Sequence, residues 1–312
     1  MDHVDDGGIM KIWDPHFHIW DVSQTTTSGH DPEQLFAPEG NPVYTLERYE
    51  KDMAIEGIEL TGGAFVEAVS VCHVDDDGPS FEACCLAETS WTSKEMDGSD
   101  LEYRIVASAS LESPNVENLL ASLKQHQRVC GIRQIINHEP SWPRNQKRGN
   151  YLENPSWRSG FAKLEDFGMS FDLQLNPHQF HDASVLGESH PKIPLIIGHL
   201  GSPTLADLEE GQVYWDGMRR LADLEQTSIK LSMFSYLDPD WDGNPLVIET
   251  VLKVIDLFGS ERCFFASNFP VEQHQGWSAS KLYSAFLKMV EHLSEEEQQK
   301  LFSENARSAY RL

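Results

Sequence analysis

Eight short runs of apolar and β-branched residues punctuate the chain. They lie at 11–20 (KIWDPHFHIW), 58–69 (IELTGGAFVEAV), 103–111 (YRIVASASL), 129–137 (VCGIRQIIN), 168–175 (GMSFDLQL), 193–200 (IPLIIGHL), 227–235 (TSIKLSMFS) and 261–268 (ERCFFASN). Runs of this length and residue type predict strands, and several are apolar on both faces, as strands of a parallel sheet covered by helices must be. Between them the period changes to that of amphipathic helices, as in TLERYEKDMAIEG, SPNVENLLASLKQHQ, ADLEEGQVYWDGMRRLADLEQ and NPLVIETVLKVIDLFG, with a weaker helix around DASVLGES and two more closing the chain. Ser294, which opens SEEEQQK, is the expected N-cap of one of these last helices.

Eight strand–helix units in 312 residues match an α/β fold of the closed (β/α)₈ TIM-barrel type. An open doubly wound sheet would bring a phosphate-binding glycine loop, and the chain contains neither G-x-G-x-x-G nor G-x-x-x-x-G-K. The expected organisation is a flexible acidic N-terminus over 1–10 and one barrel domain over 11–312. Segments 21–44 and 138–156 are long, rich in Pro, Gly, Ser and Asn, and follow strand ends, which makes them candidate lids over the barrel mouth.

Charge narrows the partners. Fifty acidic residues against 24 basic ones give a formal charge of −26, a field that repels nucleic acids and anionic membrane surfaces. No apolar stretch approaches the ~18 residues that span a bilayer, and MDHVDDGGIM carries no basic, apolar leader. The expected partner is therefore a small molecule, with a cytoplasmic location; oligomeric state is not encoded in these patterns. Five cysteines (Cys72, Cys84, Cys85, Cys130 and Cys263) without a C-x-x-C pair predict reduced, buried thiols and no zinc knuckle.

Candidate chemistry sits at strand ends, where barrels of this type carry their sites. His16 and His18 alternate on one strand and so share a face, with Asp14 two residues earlier on the same face. His199 ends the sixth run, Asn268 the eighth, and Ser232 lies in the seventh. Glu67, Arg133 and Gln174 come from the second, fourth and fifth runs. A cation such as Arg133 in an apolar strand must meet either an acid or an anionic substrate group. Gln174 and Glu67 can line the site or support it from inside the barrel. His178 and His181 read as loop histidines.

Taken in order, DPHFHIWD, GIRQIIN, IIGHLGSP, ASNFPVE and LFSENARSAYRL resemble the amidohydrolase superfamily, and within it the amidohydrolase-related family that contains sugar lactonases and 2-pyrone-4,6-dicarboxylate lactonase. The resemblance covers nearly the whole chain. It implies a barrel that hydrolyses lactones or similar cyclic esters of sugar acids or aromatic catabolites. A metal-dependent decarboxylase of the same superfamily, or a barrel that binds a small molecule without turning it over, are the alternatives. His16, His18 and His199 match the family's histidines, as ligands of a divalent metal, zinc above others, or as hydrogen-bond donors in a metal-free site. Asn268 stands where hydrolytic members hold an aspartate base. An amide cannot accept that proton, so either Glu272, four residues on, takes the base role or a metal-bound hydroxide makes a separate base less necessary, with Arg133, Gln174 and Glu67 as substrate-binding candidates.

Overall fold

The computed structural model describes residues 9–21, 23, 41–68, 81–141, 146 and 148–312. Most of the acidic N-terminus, Cys72 and much of the first candidate lid lie outside the described residues, as do positions 142–145 and 147 of the second.

All eight expected strands form: β1 (Met10–Phe17), β2 (Ile58–Val66), β3 (Glu102–Ser108), β4 (Val129–Ile135), β5 (Ser170–Gln174), β6 (Leu195–Ile197), β7 (Thr227–Leu231) and β8 (Cys263–Phe265). They make one sheet in sequential order with every neighbouring pair parallel. Helices return the chain between them, which is the (β/α)₈ barrel. Closure is made just past the last rungs of the ladder. Phe17 bridges to Phe269, the Asn268 amide N donates to the His16 carbonyl (2.8 Å), and the His18 amide N donates to the Phe269 carbonyl (2.7 Å). Those bonds set the end of the eighth unit against the end of the first.

The expected runs extend beyond the paired strands at their C-terminal ends, and the reason is burial. Ala266, Ser267, Gly198 and Ser232 are as buried as the strands they follow, so apolarity and small size continue after the hydrogen-bond ladder has stopped. Helix ends follow local chemistry. Thr45 accepts from the Arg48 amide N, and Asn154 and Asn244 cap helices that begin with Pro155 and Pro245. Ser294 forms its capping box with Glu297. The long helix expected over ADLEEGQVYWDGMRRLADLEQ is two, Leu205–Glu210 and Gln212–Ala222, broken at Gly211, whose φ of 69° leaves the helical region.

Two expectations are corrected here. Cys84 is disulfide-bonded, so the thiols are not all reduced; Cys85, Cys130 and Cys263 are free. Asp14 does not join the histidines. Its carboxylate accepts from Tyr49 Oη (2.7 Å), the Ser267 amide N (2.9 Å) and Ser267 Oγ (2.5 Å), stapling the first unit to the eighth. A register shift in β1 between Asp14 and Phe17 breaks the two-residue alternation on which the shared face rested.

Candidate active site

The ends of six strands converge on a cavity of about 660 Å³. His18, Arg133, Gln174, His199 and Asn268 line it, joined by Asn137, Asn176, Ser202, Thr204 and His274 and by apolar surface from Trp20, Ile135, Met233, Tyr236 and Val271. His16, Glu67 and Glu272 lie behind this wall and touch its members.

The three imidazoles form a cluster. His16 Nε2 and His18 Nε2 are 3.2 Å apart, and the His16 and His199 ring centroids are 4.5 Å apart. His18 Nδ1 donates to the carbonyl of Val66, the last residue of β2 (2.7 Å), and the Asn268 side chain is a further hydrogen-bond partner of the ring. His199 Nδ1 is 2.9 Å from Ser232 Oγ. Burial pushes all three pKa values well below the usual histidine range, and the Arg133 and Lys230 cations add to the shift, so the rings are neutral at pH 7.

Arg133 has found an acid. Its Nε donates to Glu67 Oε1 (2.7 Å), Nη2 to the Glu67 carbonyl (2.6 Å) and Nη1 to Gln174 Oε1 (2.9 Å). The same Nη1 is 3.4 Å from His16 Nε2. Glu67 is thus the counter-ion of Arg133, and Gln174 both lines the cavity and orients the guanidinium. A pair this buried is costly to form and costlier to break, which makes a fixed orientation its clearest product.

Asn268 has a φ of 55°, His199 53° and Met233 63°. With Ser202 at 50°, four non-glycine residues lie in the left-handed region at one cavity, the kind of local strain that surrounding structure must hold, and it re-aims side chains after the strands. Asn268 Nδ2 donates to Glu272 Oε1 (3.4 Å), and Ser235 Oγ donates to Glu272 Oε2 through a short bond. Glu272 is only 1 % exposed, and burial pushes its pKa up to about 7. Both of its partners are neutral, unlike that of Glu67.

A match to the amidohydrolase family model covers residues 13–312. The chain belongs to the amidohydrolase family. Uncharacterized protein y4mH of Sinorhizobium fredii is 28 % identical over 314 residues, 97 % of this chain and 99 % of that protein. An amidohydrolase from Burkholderia multivorans with bound zinc superimposes with a TM-score of 0.75 at 19 % identity, covering 96 % of this chain and 99 % of that one. A probable 2-pyrone-4,6-dicarboxylic acid hydrolase from Acinetobacter baumannii, with citric acid bound, gives 0.71 at 17 % identity with the same coverage. At these identities the superpositions establish the barrel.

The zinc in that neighbour makes the donor set of this amidohydrolase a question of chemistry. Zinc needs bare imidazole nitrogens or carboxylates. The His18 ring is held by the Val66 carbonyl and the Asn268 side chain, and both nitrogens of His16 face cationic donors, Lys230 Nζ at 3.3 Å from Nδ1 and Arg133 Nη1 at 3.4 Å from Nε2. Among the described residues no carboxylate lines the cavity, and no group of three His, Cys, Asp or Glu stands at ligating spacing. The three-histidine set in this arrangement does not fit a divalent cation.

Reading the sequence missed Lys230, Asp172 and Ser235, which support the site, and Asn137, Asn176 and His274, which line it. Lys230 carried the same signal that singled out Arg133, a cation inside an apolar strand.

Proposed function

We propose that this amidohydrolase opens a lactone or similar cyclic ester of a sugar acid or aromatic catabolite, in the cavity at the barrel mouth. The observation that carries the reading is the composition of that cavity. In a chain of net charge −26, its described lining holds a guanidinium, imidazoles and carboxamides, and no acid. Such walls suit a substrate rich in carbonyl and carboxylate oxygens. Citric acid, bound by the Acinetobacter neighbour, is a ligand of that kind.

Hydrolysis begins when water adds to the ester carbonyl and negative charge grows on its oxygen. Arg133 supplies positive charge and N–H donors towards that oxygen from a position fixed before substrate arrives, so little reorganisation is needed as the charge develops, and His199, with Nδ1 paired to Ser232 Oγ, presents Nε2 beside it. Asn268 binds the attacking water. Glu272 holds the Asn268 amide through Nδ2, so Asn268 Oδ1 orients that water by accepting a hydrogen bond from it and takes no proton. Glu272 itself, with a pKa near 7 and no cation to neutralise it, is the base: a water that displaces the 3.4 Å contact of Asn268 Nδ2 passes its proton directly to Oε1. No step in this scheme passes through a metal.

The test is turnover of a lactone panel by the purified chain, read as acid released per ester opened. Release of carbon dioxide from aromatic acids with no lactone opened would move the assignment to a decarboxylase. Tight binding with no turnover would move it to a binding barrel.

A further inference from the structure

The cavity wall at the end of β5 carries two amides whose oxygens already face other donors. Gln174 Oε1 accepts from Arg133 Nη1 (2.9 Å), and Asn176 Oδ1, two residues on, accepts from Asn137 Nδ2 (2.7 Å). Leu175 between them is fully buried and takes no part in the lining, so Gln174 and Asn176 share the cavity face. Gln179 fixes this wall from behind. Its Oε1 accepts from the amide N of Asn176 (2.9 Å) and of His138 (3.0 Å), and its Nε2 donates to the Ile136 carbonyl (2.9 Å).

We infer that the side-chain amides of Gln174 and Asn176 form a shelf that binds a carboxylate, so that the substrate of this cavity carries a carboxylate besides the ester that is opened. The inference rests on the hydrolase reading of the same cavity and narrows its substrate.

At Gln174 the orientation is forced. A guanidinium only donates, so the amide must turn Oε1 to Arg133 and keep its NH₂ group for something else. Gln174 Nε2 and Asn176 Nδ2 have no protein partner among the described residues, and neither is among the polar atoms sealed from solvent, so their N–H donors open into the cavity that both residues line. Donors of this kind suit a group that only accepts. A sugar hydroxyl brings a proton of its own and would find both amide oxygens turned to other donors, whereas a carboxylate brings about four lone-pair sites and no proton. The local field has the same sense. Glu67 holds Arg133 at Nε and, through its carbonyl, at Nη2, so the positive end of the ion pair is Nη1, the end that faces Gln174. The described lining holds no acid to oppose an anion there.

The test is calorimetric titration of the full-length chain, at fixed ionic strength, with benzoate and with benzamide, its neutral near-isostere. The wild-type chain should bind benzoate roughly tenfold or more tighter than benzamide. Gln174→Glu keeps an acceptor for Arg133 but removes the donors, and Gln174→Met removes the donors without adding a charge. Asn176→Leu does the same at the second amide. Each variant should lose most of the preference for benzoate. A change that merely loosened the wall would weaken both probes together, so the ratio of the two affinities isolates the shelf. A wild-type chain that binds no benzoate, or binds benzamide as tightly, would overturn the inference, and so would any of the three variants with the wild-type ratio. A loss in Gln174→Met with none in Gln174→Glu would mean that Gln174 acts only by holding Arg133, which also overturns it. Neither probe contains a lactone, so the result stands apart from the lactone panel: failure here leaves hydrolysis of neutral lactones standing, and an inert panel leaves the carboxylate shelf standing.

Discussion

Replacing Glu272 by Gln separates function from stability in one residue. The native carboxyl is pushed from its ordinary value of 4.5 up to about 7 by burial, against the opposing hydrogen bonds from Ser235 and Asn268. In the unfolded chain it ionises near 4.5, so between these values the native state binds more protons than the unfolded state. The sign follows: the stabilisation present below about pH 4.5 is lost as pH rises through about 7. A gap of about 2.5 units at 1.36 kcal/mol each corresponds to roughly 3 kcal/mol of stability missing at pH 8. Because the group is 1 % exposed, solvent screening does not reduce this figure much. Glu272→Gln has no charge to desolvate, so relative to wild type it should gain roughly 3 kcal/mol between pH 4 and pH 8. The assay is urea unfolding followed by tryptophan fluorescence for both proteins at both pH values. Activity should move the other way, with kcat/KM at pH 8 falling ~10²–10⁴-fold as the base is lost. A wild-type minus variant difference that stays constant from pH 4 to pH 8 would refute the reasoning about the buried carboxyl, whatever happened to turnover.

Three further predictions follow from the geometry. Arg133→Met leaves Glu67 buried without its counter-ion and should cost about 3–5 kcal/mol in chemical denaturation, with Arg133→Met/Glu67→Leu recovering most of it. Asn268→Asp places a second carboxylate against Glu272, where Asn268 Nδ2 now lies 3.4 Å from Oε1, so the rising limb of the pH–rate profile should move to higher pH as the two acids share a proton. Gly160→Ala sets a methyl 1.8 Å from the Leu111 carbonyl, and should lower stability by about 1–3 kcal/mol without altering KM, because the clash lies in the helical layer away from the cavity.

The barrel was legible because its physics is local: apolar runs of strand length separated by helical periods admit few arrangements. Site residues were legible where polar chemistry interrupted such a run, as at His16, His18, His199 and Arg133. Lys230 is hard to single out because TSIKLSMFS has the pattern of one buried strand, although a lysine there needs a partner as much as an arginine does. Its partners, Asp172 and His16, are 58 and 214 residues away, beyond the reach of any local pattern. Asp14 leaves the shared face for a different reason: strict alternation fails at the register shift between Asp14 and Phe17, and Pro15, which cannot donate to the ladder, is the one local sign of it. The pairing of Arg133 with Glu67 rather than with a substrate anion likewise depends on two strands brought together only by the sheet.

The most direct measurement is kcat/KM on a lactone panel for the wild-type chain and for His18→Ala, with melting temperatures recorded alongside. His18 lines the cavity and its Nδ1 is tied to β2, so its loss should remove chemistry without removing core. The account predicts that the wild-type chain opens at least one lactone, with one acid formed per ester lost. It also predicts that His18→Ala loses roughly 10²-fold or more in kcat/KM while remaining folded, with a melting temperature lowered by the loss of the buried ring and its bond to Val66. A wild-type chain inert on the whole panel, or a His18→Ala variant as active as wild type, would contradict the claim that this cavity hydrolyses cyclic esters.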